Sequence, residues 1–164
     1  MMLELHNVTI GQQIQGVSAT VEDGRMACVR GAQGAGKTTL LRAVLGFIGV
    51  DGGHISIDGE LLTPQSAPYF RRQMAYVPQR LSLPEGYDRV GDGRWGVMNA
   101  DERYLWLMTQ ATMSGRQLLI VDEPEQELSE ETWQSVDGLL AQAMQRGTTV
   151  LMAGSRYNEN VIQL

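Results

Sequence analysis

The sequence Gly31-Ala32-Gln33-Gly34-Ala35-Gly36-Lys37-Thr38 follows an apolar run at residues 26–29 and opens into the apolar-rich residues 39–45. Every fixed position of the pattern G-x-x-x-x-G-K-[ST] is present, between a predicted strand and a predicted helix. In such a P-loop, glycines let successive backbone N–H groups converge on an anion, and the first turn of the helix adds unpaired N–H groups. The alternative is a glycine-rich turn that only joins a strand to a helix. The complete match in this context favours a phosphate-binding loop.

Two side chains of the loop have predicted roles of their own. The ammonium group of Lys37 would reach the terminal phosphates of a bound nucleotide, and Thr38 would supply a hydroxyl ligand to Mg²⁺. Both groups would act at the positive end of the helix dipole.

Length and composition predict one globular domain spanning residues 1–164, with 43% hydrophobic residues. A formal net charge of −6 without a dense Lys/Arg run argues against nucleic-acid binding. The only cysteine, Cys28, excludes an intrachain disulfide and is predicted to be a buried small residue. Because the sequence shows neither a signal peptide nor a long apolar stretch, we expect a soluble, cytoplasmic protein without direct membrane insertion.

The N-terminal third predicts an antiparallel β piece. Residues 3–9 and, more loosely, 14–21 alternate apolar and polar side chains, which is typical of half-buried strands. Residues 54–59 form another alternating strand that ends in an Asp-Gly turn. His54 on that strand is predicted to point to solvent, and with no second histidine nearby in the sequence it is not expected to bind metal.

The rest of the chain predicts alternating helices and strands. Asn99 and Glu102 have the spacing of a capping box at the start of a helix, and Ser129 can cap a later one. Residues 118–121 are continuously apolar, as in a strand buried on both faces of a parallel sheet. The other predicted elements are a helix from Lys37 to Gly46, a short helix within 64–72, strands at 74–77, 149–153 and 161–164, and a loop at 80–97. This order predicts an α/β P-loop fold, a mainly parallel sheet flanked by helices with an antiparallel β piece at its N-terminal side.

A second motif completes the predicted site. The apolar residues 118–121 are followed by Asp122-Glu123, as in a Walker B strand. Such a strand delivers an aspartate to the Mg²⁺ shell and a neighbouring glutamate to the attacking water.

With these motifs the chain resembles the ATP-binding cassette (ABC) ATPases, the nucleotide-binding subunits of ABC transporters. The resemblance rests on residues 31–39, 55–59, 75–79 and 118–124, which occur in the family's order. It implies a P-loop NTPase fold of the ABC ATPase type, ATP and Mg²⁺ as ligands, and a membrane-embedded transporter subunit or a partner cassette. Carried over by position, Glu123 would be the general base, Gln79 would touch Mg²⁺ and the attacking water, and Asp122 would hold the metal through water. The implied nucleotide-binding residues are Gly31, Ala32, Gln33, Gly34, Ala35, Gly36, Lys37, Thr38 and Thr39.

The sequence departs from the family at four places. The signature Leu-Ser-Gly-Gly-Gln, which in the family clamps the γ-phosphate held by the opposite subunit, falls on residues 98–102, where Asp101 and Glu102 would place carboxylates beside a triphosphate. Ser155 stands at or near the position of the switch histidine. No aromatic residue precedes Phe47 to stack on adenine. Only residues 80–97 occupy the place of the family's helical subdomain, so a reduced, minimal cassette is expected.

Three hypotheses follow from these matches and departures. The first is a reduced ABC-type subunit that binds Mg-ATP and hydrolyses it slowly. The second is a degenerate cassette in which bound ATP orders the fold or a partner interface without turnover. The third is a P-loop scaffold that binds no nucleotide.

Overall fold

The computed structural model describes residues 1–81 and 94–164, except for the side chain of Arg94. The elements of the first half are β1 (Leu3–Ile10), β2 (Ile14–Val21), β3 (Met26–Arg30), α1 (Lys37–Val44), β4 (Gly52–Ile57), β5 (Glu60–Leu61), α2 (Ala67–Arg71) and β6 (Met74–Val77). Those of the second half are a 3₁₀ turn (Arg94–Val97), α3 (Ala100–Met113), β7 (Leu118–Val121), α4 (Glu130–Gln145), β8 (Thr149–Ala153) and β9 (Val161–Gln163).

The strands form two sheets, as the sequence predicts. One is antiparallel in the order β2-β1-β4-β5, and the other is parallel in the order β6-β7-β8-β3-β9. Strands β3 and β7 of the parallel sheet are separated only by β8. Because all of these strands run in the same direction, the loops that follow β3, β6, β7 and β8 meet at one edge.

Helix α1 packs between the two sheets and fixes the loop that precedes it. Its side chains Leu40, Leu41 and Val44 are fully buried in a cluster that also contains Leu3 of β1 and Ile120 of β7. The spacing of these apolar residues places them on one helical face, which is why the helix buries that face between two layers. The start of α1 is thereby held against the carboxyl edge of the parallel sheet.

A second cluster covers the opposite face of the parallel sheet. It joins Met108 of α3 and Val136 and Leu140 of α4 to side chains of β7 and β8. Cys28 lies in this cluster and is fully buried, as predicted, and burial raises the pKa of its thiol. Among the described residues, no helix combines the length and the apolar character needed to cross a bilayer.

Two sequence-based expectations need correction. The segment 80–97 was expected to be a loop throughout, but Arg94–Val97 forms a 3₁₀ turn; residues 82–93, where the reduced helical subdomain was expected, lie outside the described residues. His54 is exposed as predicted, but the expectation that no second histidine lies near it is wrong. His6 lies directly opposite His54 across β1 and β4, with the ring centroids 4.5 Å apart. Antiparallel pairing brought together two histidines that are distant in the sequence.

Candidate nucleotide-binding site

The P-loop leaves β3 and enters α1 through Gly36, whose φ of +101° is in the left-handed region. The N-cap residue of α1 is Gly36, and among the described residues no side chain caps this first turn. Its N–H groups are therefore available to an anion at the positive end of the helix dipole. The ammonium group of Lys37 folds back over the loop and donates hydrogen bonds to the carbonyl oxygens of Gly31 at 2.8 Å and Ala32 at 3.4 Å. From this place over the loop, the ammonium group of Lys37 could turn toward a bound phosphate.

The P-loop contacts the end of β7 through one hydrogen bond. The hydroxyl of Thr38 donates to the Oδ2 atom of Asp122 at 2.8 Å. The Oδ1 atom of Asp122 accepts from the backbone N–H of Glu123 at 3.1 Å. Asp122 is only 2% exposed, and burial raises the pKa of its carboxyl group although the bond from Thr38 acts in the opposite direction. The two motifs that the sequence singled out thus form one site.

Gln79 and Glu123 border the same space. The backbone of Gln79 follows β6, and its carbonyl accepts from the N–H of Glu125 at 3.2 Å, which ties the loop after β6 to the loop after β7. The carboxylate of Glu123 lies against Gly154, where an added Cβ would stand 3.4 Å from it. Both side chains face a cavity of about 860 Å³.

This cavity, which we call the phosphate cavity, contains most of the predicted site residues. Of the predicted residues, those that line it are Ala32, Gln33, Gly34, Gly36, Lys37, Thr38, Thr39, Gln79, Asp122 and Glu123. Gly31 and Ala35 lie outside its lining. Gly31 instead holds Lys37 through its carbonyl, and Ala35 closes a turn by donating its N–H to Ala32 at 3.1 Å.

Sequence reasoning missed Gln13, which also lines the phosphate cavity. It belongs to the turn between β1 and β2, and its Nε2 atom donates to the carbonyl of Gly34 at 3.2 Å. An added Cβ on Gly36 would lie 3.4 Å from the Cβ of Gln13. No local sequence signal marks this residue, because its place depends on how the antiparallel sheet packs on the P-loop.

The donor atoms of the site suit Mg²⁺. A hydroxyl from Thr38, a carboxylate from Asp122 and an amide from Gln79 are hard oxygen ligands that border one cavity. Within residues 1–81 and 94–164, no three His, Cys, Asp or Glu side chains form a group able to hold a metal ion by themselves. A metal held by few protein ligands, with phosphate and water completing its shell, is the usual arrangement for Mg²⁺ with nucleotides.

The segment at the signature position is bonded within its own chain. The side chain of Asn99 caps α3 by accepting a hydrogen bond from the N–H of Glu102 at 2.9 Å. The carboxylate of Glu102 accepts one from the N–H of Asn99 at 2.8 Å, so the predicted capping box is present. The carboxylate of Asp101 accepts from both the N–H and the hydroxyl of Ser129 at 2.8 Å. Hydrogen bonding by the Thr132 and Ser129 hydroxyls lowers the pKa of Asp101. Both carboxylates thus already have partners.

Ser155 is the residue predicted to lie at or near the position of the switch histidine. Its side chain is exposed, and its carbonyl accepts a hydrogen bond from the guanidinium of Arg30. Beside it, a second cavity of about 350 Å³ is bordered by Glu123, Trp133 and Tyr157. Ser155 and Glu123 both line this second cavity.

Comparison with known proteins identifies the family of this chain. The family model described as "ABC transporter" matches residues 14–153. An uncharacterized ABC transporter ATP-binding protein of Haemophilus influenzae is 39% identical over 83 residues, covering 48% of this chain and 32% of the relative. The high-affinity branched-chain amino acid transport ATP-binding protein BraG of Pseudomonas aeruginosa is 26% identical, covering 90% of this chain and 78% of BraG. The aligned region thus spans less than a third of the Haemophilus protein, although most of BraG.

Solved structures agree in fold. The structure titled "Structure of ATP binding subunit of ABC transporter" superposes with a TM-score of 0.77 at 19% identity, covering 95% of this chain and 80% of that chain. A nucleotide-free ATP-binding cassette from an ABC transporter superposes with a TM-score of 0.76 at 16% identity, covering 94% of this chain and 81% of that chain. Since the family model covers most of residues 1–164, this chain belongs to the ABC transporter family, among its ATP-binding cassettes.

Proposed function

We propose that residues 1–164 act as one nucleotide-binding unit that binds Mg-ATP in the phosphate cavity and hydrolyses it slowly. The observation that carries this proposal is the 2.8 Å hydrogen bond between Thr38 and Asp122, which joins the P-loop to the end of β7. The P-loop N–H groups would hold the phosphates, with the ammonium of Lys37 on the terminal ones.

The chemistry would take place at the end of the phosphate cavity formed by Gln79 and Glu123. Bound Mg²⁺, held by Thr38 and through water by Asp122, would neutralise phosphate charge. Gln79 orients a water molecule whose oxygen bonds to the γ-phosphorus while the bond to the bridging oxygen breaks. Glu123 accepts the water proton, and the products are ADP and phosphate.

The site supports this role without the family's full set of γ-phosphate contacts. Ser155 carries no positive charge, and Asp101 is bonded to Ser129 of its own chain. Fewer groups would therefore stabilise the charge that develops on the γ-phosphate, and the turnover is expected to be slow. The partner we propose is a membrane-embedded transporter subunit, or a second cassette that supplies the missing contacts at the cytoplasmic face of a membrane.

A second function is favoured by the bonds at the signature position. Because Asn99, Asp101 and Glu102 are all used within the chain, ATP could order the cassette or a partner interface without being hydrolysed. Turnover distinguishes the two functions, since the regulatory form would bind Mg-ATP and release no phosphate.

Titration calorimetry with Mg-ATP tests the proposal. We expect saturable binding that Lys37→Ala removes, because that variant loses the only lysine ammonium bordering the P-loop in the described part of the chain. Arg72→Ala is the matched control, since it removes an exposed cation away from the phosphate cavity. The absence of binding at millimolar Mg-ATP, or equal binding by Lys37→Ala, would refute the proposal and leave the P-loop as a structural element.

A further inference from the structure

The two histidines of the chain lie side by side on the antiparallel sheet. His6 of β1 is directly opposite His54 of β4, and their rings are stacked with the centroids 4.5 Å apart and the planes at 23°. The neighbouring residues Leu5 and Ile55 are buried in the core. Because successive side chains of a strand point to opposite faces, both imidazoles stand on the exposed face of the sheet. Neither histidine lines the phosphate cavity, so the pair is separate from the nucleotide site.

The backbone beside this histidine pair is irregular and closely packed. Asn7 has a φ of +48° and Gly53 has a φ of +70°. The register of β1 and β4 also shifts just beyond His6. Gly53 lies so close to β1 that an added Cβ would overlap the carbonyl oxygen of His6. Such irregularities re-aim side chains and often occur beside functional sites, so the two strands hold the histidines in a fixed relative position.

A carboxylate stands beside the histidine pair on the same face of the sheet. The Oε1 atom of Glu4 lies 3.8 Å from Nε2 of His6, and its Oε2 atom accepts a hydrogen bond from the hydroxyl of the buried Ser56 at 3.1 Å. Histidines that bind metals usually direct one ring nitrogen toward a carboxylate, which orients the ring and makes the other nitrogen more basic. Glu4 would thus orient the Nε2 side of His6 and leave Nδ1 as the ligand atom.

We propose that His6 and His54 together bind one divalent transition-metal ion of the class of Cu²⁺, Ni²⁺ and Zn²⁺. Residues directly opposite in an antiparallel pair have Cβ atoms about 4.5–5.5 Å apart, which lets one nitrogen of each ring reach a single ion after side-chain rotation. Imidazole suits these ions, whereas Mg²⁺ favours oxygen ligands. Among the described residues, no third His, Cys, Asp or Glu joins the pair in a metal-binding group, so water fills the other coordination positions. The bound ion links β1 to β4, and its binding requires no nucleotide.

Calorimetry of the full chain with Cu²⁺, Ni²⁺ or Zn²⁺ alone measures the stoichiometry and affinity of this site. We expect one ion per chain, with Cu²⁺ bound more tightly than Ni²⁺ or Zn²⁺. His6→Asn and His54→Asn should each weaken binding at least about tenfold, because the second imidazole acts as an intramolecular ligand. Thr20→Ala is the matched control, since Thr20 is an exposed residue of β2 opposite Glu4, and it should leave the affinity unchanged. Two ions per chain, no binding of Zn²⁺ or Ni²⁺ at millimolar concentration, or native affinity in either histidine variant would overturn the proposal.

Glu4→Gln tests the orienting carboxylate. The amide oxygen can still accept from the Ser56 hydroxyl, so the variant keeps this contact and loses only the charge. We expect Zn²⁺ binding to weaken by about 10- to 100-fold, as is usual when the carboxylate partner of a metal-binding histidine is removed. In proton NMR, the C2 protons of both histidines should still shift together as Zn²⁺ is added. Unchanged Zn²⁺ affinity would overturn the positioning role of Glu4.

Thermal melting tests whether the ion links the two strands. At about 100 times its dissociation constant, Zn²⁺ should raise the melting temperature by about 5–11 °C, because a ligand that binds only the folded state stabilises it. His6→Asn and His54→Asn, once circular dichroism shows that they fold, should lack this rise. An equal rise in either variant, or no rise in the native chain, would overturn the proposal.

Discussion

Replacing Thr38 by valine tests the contact that joins the P-loop to β7. Valine keeps nearly the same shape and removes only the hydroxyl that donates to Asp122 at 2.8 Å. Asp122 is only 2% exposed. In the variant its carboxylate would keep the hydrogen bond from the N–H of Glu123 and lose the one from the Thr38 hydroxyl. The variant therefore leaves a buried charge with one hydrogen bond fewer.

The expected loss follows from the kind of bond removed. A hydrogen bond to a charged group contributes about 1.5–3 kcal/mol to stability. In a chain of this size, each kcal/mol lowers the melting temperature by about 2–4 °C, so Thr38→Val should melt about 3–12 °C below the native protein. Mg-ATP binding should also weaken, because the same hydroxyl is the proposed metal ligand.

A double-mutant cycle with Asp122→Asn separates this bond from other effects. In Asp122→Asn, the new amide can accept from Glu123 N and donate to the Thr38 hydroxyl, so the geometry is kept and only the charge is lost. A neutral hydrogen bond is weaker, and Thr38→Val should cost about 1 kcal/mol less in that background. Urea unfolding of all four proteins measures this difference. Equal costs in both backgrounds would refute the prediction that the charge of Asp122 strengthens its bond with Thr38.

Three further predictions address the site and the sheet. Glu123→Gln should abolish phosphate release while Mg-ATP still binds in calorimetry; retained turnover would exclude Glu123 as the base. Because burial raises the pKa of Asp122, the folded protein keeps this proton at pH values where the unfolded chain has released it. Stability in urea should therefore fall as pH rises above about 3.9, the ordinary value, and Asp122→Asn should flatten that dependence. Gly53→Ala should prevent folding, as judged by circular dichroism, because its Cβ would lie 2.1 Å from the carbonyl oxygen of His6 at a φ of +70°; a folded variant would contradict the register of β1 and β4.

Features encoded within a few residues were predictable from the sequence. The capping box of Asn99 and Glu102 spans four residues, and both of its hydrogen bonds are present. The P-loop and the strand before Asp122 were predicted from similarly local patterns, and the parallel sheet brings Thr38 and Asp122 to hydrogen-bond distance. Local spacing sufficed for the capping box and for each motif taken separately, whereas the contact between Thr38 and Asp122 also requires that β3 and β7 lie close together in one parallel sheet.

Contacts across the fold could not be predicted in the same way. Asp101 is bonded to Ser129, the N-cap residue of α4, and Gln13 reaches Gly34 from a different sheet. His6 faces His54 because of the register between β1 and β4, and a shift of one residue would send the two rings to opposite faces. Each of these pairs depends on packing or register that no local sequence pattern specifies.

The family's motif residues fall into two groups in this chain. Those that would contact a nucleotide bound by the same chain are retained, and those that would contact a nucleotide on the opposite chain are altered. Lys37, Thr38 and Asp122 would act on a nucleotide bound by their own chain, and the structure brings them together. The signature segment would serve a nucleotide on the opposite chain, and its carboxylates at Asp101 and Glu102 are bonded intramolecularly. Presenting this segment to a second triphosphate would bring two negative groups toward it in a closed interface, where like charges repel strongly. We therefore expect that two copies of this chain do not close around ATP, and that any γ-phosphate contact in trans comes from a different partner.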